Sequence, residues 1–178
     1  MHYLKDLVGK TVLDGARKEI AVADGLNITL IDYRVYLRLK GETLEQIRGR
    51  TEEFILLNEV DEIGTEITLY KELKKLKKTI KETDIDTKES YRLNRLIGMD
   101  VISFDDIKIG TVKDIVLSEE GRKPFYTVEG PRIEKIRGKR EEVLPLIEAD
   151  HIQDSIKIDL AYDTLARKIR EGLRRGPW

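Results

Sequence analysis

Cysteine is absent from the 178 residues. That excludes a disulfide framework and thiolate chemistry, and it leaves the redox compartment unreadable from cysteine usage. Histidine occurs only as His2 and His151. A histidine does chemistry only with placed partners, and neither has them in sequence. There is no Ser elbow, no Gly-rich phosphate loop and no metal-ligand spacing. No catalytic residue, cofactor site or metal site is therefore expected, and the chain does not read as an enzyme. No apolar run approaches the ~20 residues of a membrane span. The segment Met1 to Asp6 lacks the apolar stretch of a secretion signal. A soluble, cytoplasmic protein is expected. Gln, Asn and Met are scarce while Lys, Glu and Arg abound, the compositional direction of thermophile proteins. A thermophilic prokaryote, most specifically an archaeon, is the expected source. Charge of one sign is also missing: 33 Lys and Arg against 34 Asp and Glu give a net −1. That excludes a strongly polyanion-seeking or strongly acidic chain, but not local patches.

What is present is a repeat. Residues 4–69 and 93–158 carry the same pattern displaced by 89 positions. Glu45, Ile47, Arg48, Gly49, Glu52, Glu53, Leu57, Glu59, Asp61 and Ile63 recur as Glu134, Ile136, Arg137, Gly138, Glu141, Glu142, Leu146, Glu148, Asp150 and Ile152. The match runs back without a gap through Gly9 and Gly98, Val12 and Val101, and Gly41 and Gly130. Self-similarity at a fixed period sets the architecture. It gives residues 1–80 as a first repeat plus helix, 81–90 as a linker, and 91–178 as a second repeat plus helix. Each copy, at roughly 80 residues, is near the lower limit for one core, so the copies are expected to pack as a pseudo-two-fold pair.

Within each copy the signals are those of short strands. Val8 to Leu13, Leu26 to Ile31 and Val35 to Leu39 are apolar or alternating, as are Ile97 to Phe104, Ile115 to Leu117 and Phe125 to Val128. Turn signals stand at Asp14-Gly15, Asp24-Gly25, Asp105-Asp106 and Glu120-Gly121. The fold class is all-β with short helices: two tandem small antiparallel β-barrels of five to six strands. After Gly41 and Gly130 two readings stand, a helical turn and a hairpin at Arg-Gly. The helical reading has Thr43 and Gln46 as a capping box, Pro131 at the first helical position, and Gly49 and Gly138 as left-handed stops. Strands are expected around Glu66 to Leu69 and Ser155 to Ile158. Helices then follow, with Leu69, Leu73, Leu76 and Ile80 sharing a face of the first and Leu165, Ile169 and Leu173 sharing a face of the second. Leu57, Ile63, Leu146 and Ile152 are expected inward or in an interface.

Residues 93–158 resemble a PRC-barrel domain. The resemblance rests on Leu96-Ile97-Gly98, on Ile109-Gly110-Thr111-Val112-Lys113-Asp114-Ile115, and on Val143-Leu144-Pro145 followed by Ala149-Asp150-His151-Ile152. The first copy keeps Gly9 but has Ala21 where Gly110 stands and Leu56 where Pro145 stands. The family includes the barrel of the photosynthetic reaction-centre H subunit and the C-terminal barrel of the ribosome maturation factor RimM. The resemblance implies a docking or assembly module that is not a catalyst. Small archaeal members are associated with the FtsZ-based division machinery, in contact with SepF. It therefore implies a protein partner, in its most specific form SepF or another PRC-barrel protein. A ribosome- or RNA-associated assembly factor resembling RimM is the alternative. RimM-like proteins also carry a separate N-terminal barrel that this chain lacks.

The candidate binding residues are basic. Arg132, Lys135, Arg137, Lys139 and Arg140 fall within nine residues, over Arg48 and Arg50 in the first copy. Glu134, Glu141 and Glu142 interleave, and no aromatic residue stands in either loop to stack a base. A solvated loop, an acidic protein partner and nucleic acid all remain open, with nucleic acid disfavoured. Glu52-Glu53 and Glu141-Glu142 are adjacent strand residues that point to opposite faces. They read as solvated or salt-bridged edge charges. The Lys71 to Lys81 helix has six lysines and no Trp or Phe. Packing against the barrel is favoured over an anionic membrane.

Overall fold

The computed structural model describes residues 1–29, 32–82, 90–119, 123–147 and 150–172. Most of the expected linker, the Glu120-Gly121 turn, Leu173 and the C-terminal tail lie outside them. The chain divides into two compact units, residues 2–93 and residues 94–178 together with Met1.

In the first unit six strands follow the order Glu52–Leu56, Val35–Lys40, Glu19–Thr29, Thr11–Leu13, Ile67–Leu69, Val60–Ile63. In the second the order is Glu141–Pro145, Pro124–Glu129, Lys108–Leu117, Asp100–Ile102, Ile156–Lys157, His151–Ile152. The two orders are the same. Ser90–Arg92 adds to Glu19–Thr29 as a further antiparallel strand in the first unit. Each unit departs from the expected antiparallel sheet at one place. Thr11–Leu13 runs parallel to Ile67–Leu69, and Asp100–Ile102 parallel to Ile156–Lys157.

The long strands Glu19–Thr29 and Lys108–Leu117 bend the sheets. Each carries two register shifts at equivalent places. The first lies between Glu19 and Ala21 and between Lys108 and Gly110. The second lies between Ala23 and Gly25 and between Val112 and Asp114. A bulge adds a residue to one strand, bends it and raises its twist, which is how a short sheet curls into a barrel. The second shift corrects the turn expected at Asp24-Gly25. Gly25 adopts φ +143° inside the strand, so the Asp-Gly pair makes a bulge. Val12, Leu26, Ile28 and Leu39 are buried in one unit, and Val101, Ile115, Leu117 and Val128 at the equivalent places in the other.

The helical reading of the segment after Gly41 and Gly130 holds. Glu42–Leu44 and Glu45–Arg48 form one short helical run, and Pro131–Arg137 another. Leu44 and Ile47, or Ile133 and Ile136, are buried beneath them. Gly49 and Gly138 stop the runs at φ +75° and +71°, their N–H groups donating to Glu45 and Glu134. Pro131 takes the first turn as expected. The capping box does not form: Gly41 precedes the run with no side-chain cap, and Thr43 is already inside it.

The following helices are Leu73–Glu82 and Tyr162–Glu171, also 89 residues apart. The repeat therefore continues past residues 69 and 158. Leu76 and Ile80 are buried, as are their counterparts Leu165 and Ile169. Leu69 belongs to the preceding strand and not to the helix. Each helix is started by a remote turn. Asp14 accepts the Leu73 N–H at 2.9 Å and the N–H groups of Ala16 and Lys18 at 3.0 Å. In the second unit Asp105 accepts the Tyr162 N–H at 2.9 Å, while Ser103 accepts that of Ile107 at 3.1 Å.

Two further expectations are corrected. The strands expected from Val8 and Ile97 begin at Thr11 and Asp100. Before them Leu4–Leu7 and Leu93–Leu96 form single helical turns that bury their leucines and leave Val8 and Ile97 exposed. Leu57 and Leu146 are buried, but Ile63 and Ile152 are half-buried. Both isoleucines stand at the ends of outermost strands, paired with a neighbouring strand on one side.

Candidate functional site

The nominated cations stand on the short helical runs and on the loop that leads into the next strand. Equivalent positions differ in what they do. In the first unit Glu53 is 0% exposed. Arg48 donates to it through Nε and Nη2 at 2.9 and 2.8 Å, and Arg50 through the same atoms at 3.1 and 3.2 Å. Burial alone would raise the Glu53 pKa, but the hydrogen bonds and charges of the two arginines hold the carboxyl below its ordinary value. Arg48 and Arg50 are thus committed to a buried carboxylate. On the opposite strand face, Glu52 accepts from the buried Arg38 at 2.9 Å, and Asp24 lies 3.1 Å from the same guanidinium.

The second unit keeps the outline and loosens it. Arg137 reaches Glu142 at 3.3–3.4 Å, with side-chain exposures of 32% and 12%. Lys139 replaces Arg50 and does not join. Glu141 pairs with Lys113, which also faces Glu129 at 3.6 Å. Arg132 lies over the Tyr162 ring, 5.5 Å from its centroid. Lys135, Lys139 and Arg140 are exposed and enter no ion pair among the described residues. Their first-copy counterparts are Gln46, Arg50 and Thr51. The structure therefore reduces seven nominated residues to three unpaired cations, all in the second unit.

Other nominated features are absorbed into the fold. The apolar stripe of Leu73–Glu82 is buried in its own unit, and Lys71 donates to Glu59 at 2.8 Å and to Thr79 at 3.1 Å. His151 is exposed on a short outer strand. Among the described residues no His, Asp and Glu cluster could hold a metal ion. No described helix is long and apolar enough to cross a membrane.

One site was missed. A cavity of about 160 Å³ in the second unit is lined by Tyr126, Leu144, Pro145, Ile147, Asp150, Ile158, Asp159 and Leu160. Tyr126 is 1% exposed, and its hydroxyl has no hydrogen-bond partner among the described residues. Burial pushes the phenol pKa well up, and Asp150 adds to the effect. Asp150 is 4% exposed and accepts the N–H groups of Ile147 and Asp159 at 3.4 Å. Burial raises its pKa to about 6, against the lowering effect of those two N–H groups; the Asp159 charge raises it further and His151 lowers it. The first copy has Leu37 in place of Tyr126 and an exposed Asp61 in place of Asp150. Only that contrast between copies could have signalled the site.

Comparison with known proteins adds the following. No curated protein matches the chain. Among solved structures, a putative 16S ribosomal RNA processing protein RimM from Pseudomonas aeruginosa is similar at 16% identity and a TM-score of 0.33. The match covers 80% of this chain and 98% of that one, and at that score it carries no argument. The family comparison falls largely on the second unit, where the motifs around Gly98, Gly110 and Pro145 lie: residues 88–165 match the PRC-barrel domain, and the chain contains a PRC-barrel domain over that stretch.

Proposed function

We propose that this chain is a non-enzymatic adaptor whose second barrel binds an acidic surface of a partner protein. The observation that carries the reading is the set Lys135, Lys139 and Arg140, exposed and unpaired on the second unit alone. Exposed cations of this kind speed encounter with an acidic surface and select against basic ones. Arg132 and Arg137 flank the set but are partly engaged by Tyr162 and Glu142. In its most specific form the partner is a component of an FtsZ-linked division assembly, SepF or another PRC-barrel protein, a version that rests on the family resemblance alone. The RimM-like reading, in which the same cations meet RNA, is opposed by the interleaved Glu134, Glu141 and Glu142 and by the absence of aromatic residues in the loop.

The test is affinity capture from the native source with the wild-type chain and with Lys135→Ala, Lys139→Ala and Arg140→Ala combined. It is run beside a gel shift with total RNA at low and physiological salt. A protein held by the wild type and released by the triple variant is the expected result. An RNA complex that survives physiological salt and vanishes in the variant would overturn it, because phosphate contacts have a steep salt dependence.

A further inference from the structure

We propose that the cavity of the second barrel binds a small alkylammonium ion. Its alkyl body would lie against Leu144, Pro145, Ile147, Ile158 and Leu160, and its N–H donors would meet Tyr126 and Asp150. Three observations support this. The walls are aliphatic and the polar groups converge at one place, the usual composition of a small-ligand site. The Tyr126 hydroxyl is buried without a partner among the described residues. An unpartnered polar atom of that kind costs stability and persists where something uses it. Two carboxylates, Asp150 and Asp159, line the space, and among the described residues no cationic side chain does. That field favours a cation over a neutral or anionic ligand.

Volume sets the size. A cavity of 150 Å³ holds benzene, six heavy atoms, so about 160 Å³ takes an amine of about five to seven heavy atoms. The ammonium has three donors and no acceptor, matching a carboxylate and a phenol oxygen that can both accept. The first barrel, with Leu37 and Asp61 at these positions, would not bind it. The site is separate from the exposed cations and independent of the adaptor reading.

The probe is n-pentylammonium, titrated into the full chain with methyl NMR on Leu144, Ile147, Ile158 and Leu160. 1-Pentanol and pentanoate serve as the neutral and anionic comparisons. Saturable shifts confined to these methyls are expected, with pentanol at least tenfold weaker and pentanoate without effect. Tyr126→Phe removes an unpaired hydroxyl and should leave the fold intact while weakening pentylammonium about tenfold. Asp150→Asn should erase the preference for ammonium over alcohol. Equal binding of amine and alcohol by the wild type, no saturable binding, or unchanged amine affinity in both variants would each overturn the proposal.

Discussion

The two units share a strand order, bulge positions, helix bounds and left-handed glycines, yet their polar interiors have little in common. In the first, Glu53 is buried beneath Arg48 and Arg50, Arg38 is buried between Asp24 and Glu52, and Asp14 alone joins a turn to a helix. In the second the corresponding ion pairs are more exposed, and the buried Tyr126 and Asp150 stand beside a cavity. Backbone geometry and apolar volume therefore suffice to specify this barrel. The polar residues are free to diverge, one copy toward internal ion pairs and the other toward unpaired cations and a partly open cavity.

The largest expected effect tests that division directly. Arg48→Ala leaves Glu53 buried with Arg50 alone, and removing one partner of a buried pair costs about 3–5 kcal/mol. The equivalent Arg137→Ala breaks a partly exposed pair and should cost no more than about 1 kcal/mol. Urea denaturation of both variants measures the contrast, and equal losses would show that the Glu53 cluster is no more than an edge salt bridge.

Acid should move the two units in opposite directions. Asp150 titrates near 6 when folded and near its ordinary 3.8 when unfolded. On acidification the folded chain takes up that proton first, so stability rises as pH falls from about 7 to 4. At about 1.4 kcal/mol per pH unit the gain is about 3 kcal/mol. Glu53 and Asp14 are held below their ordinary values. Their contribution is present above about pH 4.5 and is lost as pH falls through their folded values. Amide exchange should therefore slow in the strands around Tyr126 and Leu144 between pH 7 and 5, after correction for intrinsic rates. It should quicken around Leu39 and Phe54 only below about pH 4.5. Asp150→Asn should abolish the first change and leave the second.

A smaller effect concerns a position where the copies differ by one methyl group. A Cβ on Gly110 would stand 2.4 Å from the Glu129 carbonyl oxygen and 2.7 Å from Val128. Thr111 and Glu129 are paired in the ladder, so that carbonyl cannot yield freely. Gly110→Ala should cost about 1–3 kcal/mol, as overpacked cores do, even though the first copy carries Ala21 at the same place. Thermal melts of Gly110→Ala and of the reverse change Ala21→Gly, expected to cost only about 0.5–1 kcal/mol, give the comparison.

Much of the fold was legible because the 89-residue displacement runs without a gap, so each weak strand signal could be read twice. The helices escaped the repeat because only Leu76, Ile80 and Glu82 recur, as Leu165, Ile169 and Glu171, while the other positions of the two helices differ. The bulge at Asp24-Gly25 was illegible for a physical reason: a turn and a bulge ask for the same positive-φ glycine. For the candidate site, residue type was readable and pairing was not. Arg48, Arg50 and Glu53 are close in sequence, but nothing in their spacing says that Glu53 is buried. Tyr126 and Asp150 are brought together only by the strand order.

The smallest effect tests whether one residue in the first unit does what two do in the second. Asp14 is 3% exposed and receives N–H groups from Leu73, Ala16 and Lys18. Losing a cap costs about 0.5–2 kcal/mol, and Asp14→Ala removes the cap and the turn bonds together, so about 2 kcal/mol is expected. In the second unit Ser103→Ala should loosen the turn and Asp105→Ala the helix start, each with a smaller loss than Asp14→Ala. Ser103 also donates to Asp105, so the two losses should couple and the double variant should cost less than their sum. Urea midpoints for the four variants decide it. Strict additivity would mean that Ser103 and Asp105 act independently, and that the second copy has no single counterpart to the Asp14 carboxylate.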